Sequence, residues 1–161
     1  SNIKDHIENN FDYNSIRQTL SESGVPNSIL YVNEYLYALE QGKEYNLEGG
    51  IDIEHIMPQS GLNRENIMAD AGCSSQEEFQ EYAEKLGNKI LLESVINRGI
   101  GDAWFRTKKE NNITSGRGYI GSRFPIAHSL VNYDSDTWTK NDIDKATEKA
   151  AERIANFVFS K

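Results

Sequence analysis

The chain has 161 residues, 37% hydrophobic and 26% charged, with a mean hydropathy of -0.66 and a formal net charge of -8. That describes one soluble domain with a real core, and no apolar run approaches the roughly 20 residues that a membrane span needs. The single Cys73 excludes an intramolecular disulfide and any cysteine-rich zinc site, and with no signal-peptide pattern the expected home is a reducing cytoplasm.

Taken in chain order, Tyr13 to Ser23 and Ser28 to Gln41 carry apolar residues at helical spacing and are separated by the turn signal Gly24-Val25-Pro26-Asn27, which predicts an antiparallel helical pair. Gly42 through Gly50 reads as loop. Ile51 and Ile53 alternate with Asp52 and Glu54 as a first strand, and Gln59 to Ser75 reads as loop with at most a short turn. Ser75 to Leu86 is an acidic helix with Ser74 or Ser75 as N-cap, ended by Gly87. Asn88 to Glu93 is a second strand, and Ser94 is placed to cap a short helix carrying Asn97. Ala103 to Glu110 reads as helix and Asn111 through Gly121, rich in Gly, Asn and Ser, as a mobile loop. Thr139 with Asp142 resembles a capping box that opens a long helix to about Phe159, with Ile143, Ala146, Ala150, Ile154, Phe157 and Val158 as its core-facing stripe.

The chemistry concentrates in Ile53-Glu54-His55-Ile56-Met57-Pro58-Gln59 and in Leu86-Gly87-Asn88-Lys89-Ile90-Leu91-Leu92 with Asn97 beyond it. Phosphodiester hydrolysis needs a deprotonated water and an electrophile that neutralises phosphate charge. His55, whose type titrates near working pH, suits the general base. Glu54 and Asn97 supply oxygens for a hard ion such as Mg²⁺ or Mn²⁺, and so few protein ligands imply weak binding. Asn88 can donate and accept at once, so it is expected to tie the loop after His55 to the second strand. Lys89, Arg98, Lys108 and Lys109 are candidate phosphate clamps. His6 and His128 are expected to be structural or exposed, and Trp104, Phe105 and Trp138 to belong to the core rather than to stack on bases.

These two segments resemble the HNH, or His-Me finger, endonucleases. Glu54 through Ser60 is similar to the first strand and loop of the HNH domains in CRISPR guide-RNA nucleases, and Asn88 through Gly99 to their second strand and helix. More of the chain, about residues 28 to 157, resembles the C-terminal nuclease domain of GmrSD-type modification-dependent restriction systems. The further matching segments are the apolar helix Ile29 through Glu40, then Lys108 or Lys109, Tyr119 and Ser122, and Trp138 through Arg153. Glu54 stands where Asp is commoner.

The resemblance implies an α+β, mostly α fold with a ββα-metal core: a helical lead-in over 1–50, the core with an inserted helix over 51–102, and a helical C-terminal part over 103–161. It implies a Mg²⁺- or Mn²⁺-dependent endonuclease acting on DNA in restriction of modified phage DNA, working with a ParB-like nucleotide-hydrolysing domain or subunit. The start at Ser1-Asn2 without an initiator Met fits a domain cut from a larger protein. A ribonuclease or toxin domain of the same fold and a catalytically idle nucleic-acid-binding module stay open as alternatives.

An acidic chain is an awkward partner for a polyanion, but its charge is uneven. Between Lys85 and Arg123 eight basic residues (Lys85, Lys89, Arg98, Arg106, Lys108, Lys109, Arg117, Arg123) face only Glu93, Asp102 and Glu110. This sector coincides with the second strand and the helix after it, where a phosphate backbone would lie.

Overall fold

The computed structural model describes residues 2–110 and 118–159. The side chain of His6, Arg117 and most of the expected loop Asn111 through Gly121 lie outside the described residues. The elements are α1 (Asn2–Leu20), α2 (Ser28–Gln41), β1 (Ile51–His55), α3 (Arg64–Ala71), α4 (Gln76–Ala83), β2 (Lys89–Glu93), α5 (Ser94–Ile100), α6 (Phe105–Glu110), α7 (Pro125–Ser129) and α8 (Lys140–Val158). Single 3₁₀ turns occupy Leu86–Asn88, Tyr119–Gly121 and Leu130–Asn132. The fold is mostly helical around a small antiparallel sheet of β1 and β2, and among the described residues no helix is long and apolar enough to cross a membrane.

The ribbon sets the frame. Its register runs from Ile51 opposite Glu93 to His55 opposite Lys89. β2 is buried from Lys89 through Leu92, as a continuous apolar run requires when both faces are covered. α2 and α7 pack on β2, while α5 follows β2 directly and packs on both strands.

α8, 19 residues long, supports the turn into β2. Thr139 accepts from the Asp142 amide while Asp142 accepts from the Thr139 amide, the expected capping box. Ile143, Thr147, Ala150, Ile154 and Ala155 are on its buried face, the helix packs on the turn Leu86–Asn88 as well as on α1 and α2, and Phe157 and Val158, expected on the stripe, are more than half exposed. The contact is close at Gly87, whose amide donates to Thr147 Oγ1 at 2.9 Å. A Cβ there would come within 2.4 Å of the Thr147 nitrogen, so only glycine lets the turn that carries Asn88 meet the helix.

Four expectations change. α1 packs mainly on α8 rather than pairing with α2. The segment expected as loop contains α3, closed by Gly72 in the left-handed region and anchored by Ile67 and Ala71; its apolar face is too short to stand out as periodicity. α4 stops at Ala83 with Glu84 as its cap, so Gly87 serves close packing rather than termination. Ser94 does not cap α5, since its hydroxyl donates to Asp52 Oδ1 at 2.8 Å.

Beneath β2, Glu34 of α2 is almost wholly buried, with one oxygen accepting from the Ile126 amide at 3.1 Å and the other without a partner among the described residues. Burial raises its carboxyl to about 7, against the opposing effects of that amide and Arg153. The folded carboxyl is therefore mainly neutral below about pH 7, and the stability this contributes is fully present below the ordinary glutamate value and lost as pH rises through about 7. Urea denaturation between pH 5 and pH 8 should show the wild type losing roughly 2–3 kcal/mol more than Glu34→Gln over that window. Equal pH slopes for the two proteins would show that Glu34 ionises without cost.

Candidate active site

One end of the ribbon opens into a cleft of about 240 Å³ lined by Ile53, Glu54, His55, Pro58, Gln59, Ser60, Asn97, Gly101 and Asp102. The wall opposite α5 is pinned by Asp102, whose Oδ2 accepts from the Leu62 amide at 3.1 Å. Gly61, at φ +120, has no room for a Cβ against that carboxylate. His55 closes β1 with its ring partly exposed, and its Nε2 lies 3.0 Å from Glu84 Oε1.

Asn88 is fully buried in the turn before β2. Its Oδ1 accepts from the Met57 amide at 2.7 Å, and its Nδ2 donates to the carbonyls of Met57 at 3.0 Å and Ala83 at 3.1 Å. One side chain thereby joins the loop after His55, the end of α4 and the start of β2. The Asn88 carbonyl also accepts from the Ile56 amide at 2.9 Å.

Asn97, one turn into α5, donates from Nδ2 to Asp52 Oδ2 at 3.0 Å. Hydrogen bonds from Asn97 and Ser94 hold the Asp52 carboxyl below the usual carboxylate range. Because the amide nitrogen is committed, the Asn97 oxygen is the group left for a ligand.

Glu54 is buried, and its Oε2 accepts from Tyr119 Oη at 2.7 Å and lies 2.8 Å from Lys108 Nζ. Burial beside that carboxylate pushes the Tyr119 hydroxyl well above its ordinary range. Oε1 is the Glu54 oxygen left to turn toward an ion. Among the described residues no group of three or more His, Cys, Asp or Glu side chains is placed to hold a metal. Any ion here would rest on few protein oxygens.

The lysines correct the sequence reading. Lys108 has no exposed surface and donates to the His55 and Ile56 carbonyls at 2.9 and 3.2 Å, besides pairing with Glu54. Lys109 donates inward to the Tyr133 and Ser135 carbonyls, and Lys89 to Asn27 and Glu84. None of the three offers its ammonium group to a phosphate as placed, so the expectation of phosphate clamps is withdrawn for them. Arg98, exposed on α5, is the one of the four named cations that still faces solvent.

His128 is exposed, while Phe105 and Trp138 are core residues packed on one another and on Tyr133. Sequence reasoning missed Asp52 and Glu84. Asp52 was legible as the other acidic residue on Glu54's face of the alternating strand; Glu84, brought back by α4, left no local signal.

The profile described as GmrSD restriction endonucleases, C-terminal domain, matches residues 3–153. The chain belongs to that family. It is also 27% identical over 96 residues to the DNA repair and recombination protein RadB of Methanococcus maripaludis (strain C7), covering 58% of this chain and 45% of that protein. The chain thus spans under half the length of this curated relative. No solved structure matches.

Within this GmrSD C-terminal domain, Lys108 is the internal counter-ion of Glu54. Removing one partner of a buried pair leaves the other uncompensated. Lys108→Met should destabilise by about 3–5 kcal/mol in urea denaturation, and adding Glu54→Gln should recover much of the loss. Equal losses in the single and double variants would show that the carbonyl bonds of Lys108, not its charge, carry its contribution.

Proposed function

We propose that this chain is a single HNH domain with a ββα-metal core that hydrolyses DNA phosphodiester bonds with Mg²⁺ or Mn²⁺. It works as the C-terminal part of a cytoplasmic restriction protein that acts on modified phage DNA, targeted by a ParB-like nucleotide-hydrolysing partner. The observation that carries the reading is that His55 at the end of β1 and Asn97 on the helix directly after β2 line one cleft.

The oxygens available there suit a hard cation. Asn97 Oδ1 is left free by the commitment of Nδ2, and Glu54 Oε1 by the commitment of Oε2. When bound, such an ion neutralises phosphate charge and that of the departing oxygen. Lys108 cancels much of the Glu54 charge, so an ion held by Asn97 and Glu54 would be bound weakly.

The chain's own residues do the rest. His55 takes the proton of the attacking water. Asn88, bonded on both faces of Met57, keeps the backbone after His55 from drifting relative to β2 and α5. Arg98, exposed on α5 next to Asn97, is a cation available to steer a phosphate backbone.

Supercoiled plasmid and a structured RNA, each incubated with Mg²⁺, Mn²⁺ or EDTA, provide the test. Nicked or linear DNA is expected with metal and none with EDTA, and His55→Ala should lower the rate by about 100-fold or more while keeping the fold. Cleavage of RNA alone would move the substrate to RNA, and wild-type rates in a folded His55→Ala protein would remove His55 from the mechanism. Binding of DNA by the isolated domain should be weak and fall with salt, and Arg98→Ala should weaken it alike for every sequence. Tight, salt-independent binding of one sequence would place recognition in this domain.

A further inference from the structure

We infer that Glu84 is the positioning residue of His55, fixing its ring through Nε2 so that Nδ1 is the atom that receives the proton of water. The inference rests on the nuclease reading and adds to it the identity of the acting nitrogen.

The geometry begins in the ladder. His55 and Lys89 are direct partners across β1 and β2, so their side chains leave the same face of the ribbon as neighbours. Glu84 reaches that face from the end of α4 and spans both: Oε1 lies 3.0 Å from His55 Nε2, and Oε2 lies 3.2 Å from Lys89 Nζ. Lys89 is buried and is held in turn by Asn27 Oδ1 at 3.1 Å. Both oxygens of the carboxylate are therefore tied to groups with fixed places.

The backbone of Glu84 is fixed too. Its amide closes the last turn of α4 on the Glu81 carbonyl, and its own carbonyl accepts from the Gly24 amide at 3.1 Å. The preceding residue, Ala83, accepts from Asn88. The element that brings Glu84 to the ring is thus the one that Asn88 ties to the loop after His55.

A carboxylate facing Nε2 selects the tautomer with the proton on that nitrogen. Nδ1 is then bare, able to accept a proton, and the ring cannot swing without losing the contact. On this account the proton of water passes to Nδ1 while the water oxygen attacks phosphorus, and Glu84 keeps its charge throughout. Its role matches that of outer residues that orient a working histidine.

Three variants test it on the whole chain. Glu84→Ala should lower kcat for plasmid cleavage roughly 10- to 100-fold with KM little changed, because ring placement rather than substrate contact is lost. Glu84→Gln keeps one acceptor oxygen, enough for one of the two neighbours, and should fall between. In a His55→Ala background, Glu84→Ala should have no further effect on the residual rate, since a residue acting through His55 has nothing left to act on. An undiminished loss in that background, or wild-type kcat in a folded Glu84→Ala protein, overturns the inference.

Imidazole ¹⁵N shifts of His55 give a readout that does not need cleavage. The wild type should show the Nε2–H form dominant in the neutral ring and Glu84→Ala a mixture; equal populations overturn the inference. A wild type that cleaves nothing yet shows the Glu84-dependent tautomer would sink the nuclease reading and leave the positioning of the ring standing.

Discussion

The three hydrogen bonds of the Asn88 side chain are the constraint on which the site depends. Asn88 has no exposed surface, so each bond forms in a dry interior where an unmade one would cost the desolvation of a polar group. The bonds join the loop after β1 to the end of α4 and the turn into β2, with Met57 and Asn88 31 residues apart in the chain. An apolar side chain could fill the same volume but would leave the Met57 amide and carbonyl unpaired. An Asp could accept from Met57 but could not donate to two carbonyls.

From that clasp the rest follows in layers. Gly87 presses the same turn onto α8, which is why a helix near the C-terminus bears on a site built from residues 52 to 102. On the other side of the ribbon, the downstream residues that resemble the family's Lys, Tyr and Ser turn out to brace the strands. Lys108 and Tyr119 meet on Glu54 of β1, and Ser122 donates to Glu93 of β2 at 2.7 Å. One carboxylate on each strand, on opposite faces of the ribbon, is thereby answered from one region of the chain.

The sequence made the ribbon legible because alternation in β1, the apolar run of β2 and the capping box of α8 are local signals. Asn88 and Asn97 were legible for another reason: their spacing around β2 matched a known arrangement. What stayed hidden was the destination of long side chains. Lys89, Lys108 and Lys109 look like surface cations in any window of sequence, because burial of a lysine is decided by a carboxylate or carbonyl elsewhere in the chain. Glu84 was hidden likewise, since α4 is an ordinary acidic helix until its end is placed beside His55.

The inward lysines change the electrostatic argument more than the catalytic one. The basic sector read from sequence counts three charges that the fold spends internally, and of the remainder Lys85 pairs with Asp144 and Arg106 with Glu110. Arg98 is left on the exposed side of α5, beside the cleft wall formed by Asn97, and Arg123 is exposed with its guanidinium donating to the Glu48 carbonyl, while Arg117 lies outside the described residues. A surface with so few uncommitted cations on an acidic domain gives a small counterion-release gain on contact with a polyanion. Attraction at long range is then a poor source of affinity, and what the site can offer is short-range: a partly buried histidine held at one nitrogen, and an amide oxygen left free by the carboxylate that holds its nitrogen. On the proposed nuclease reading, a site of that kind would act on a backbone brought to it by something other than this domain's own charge.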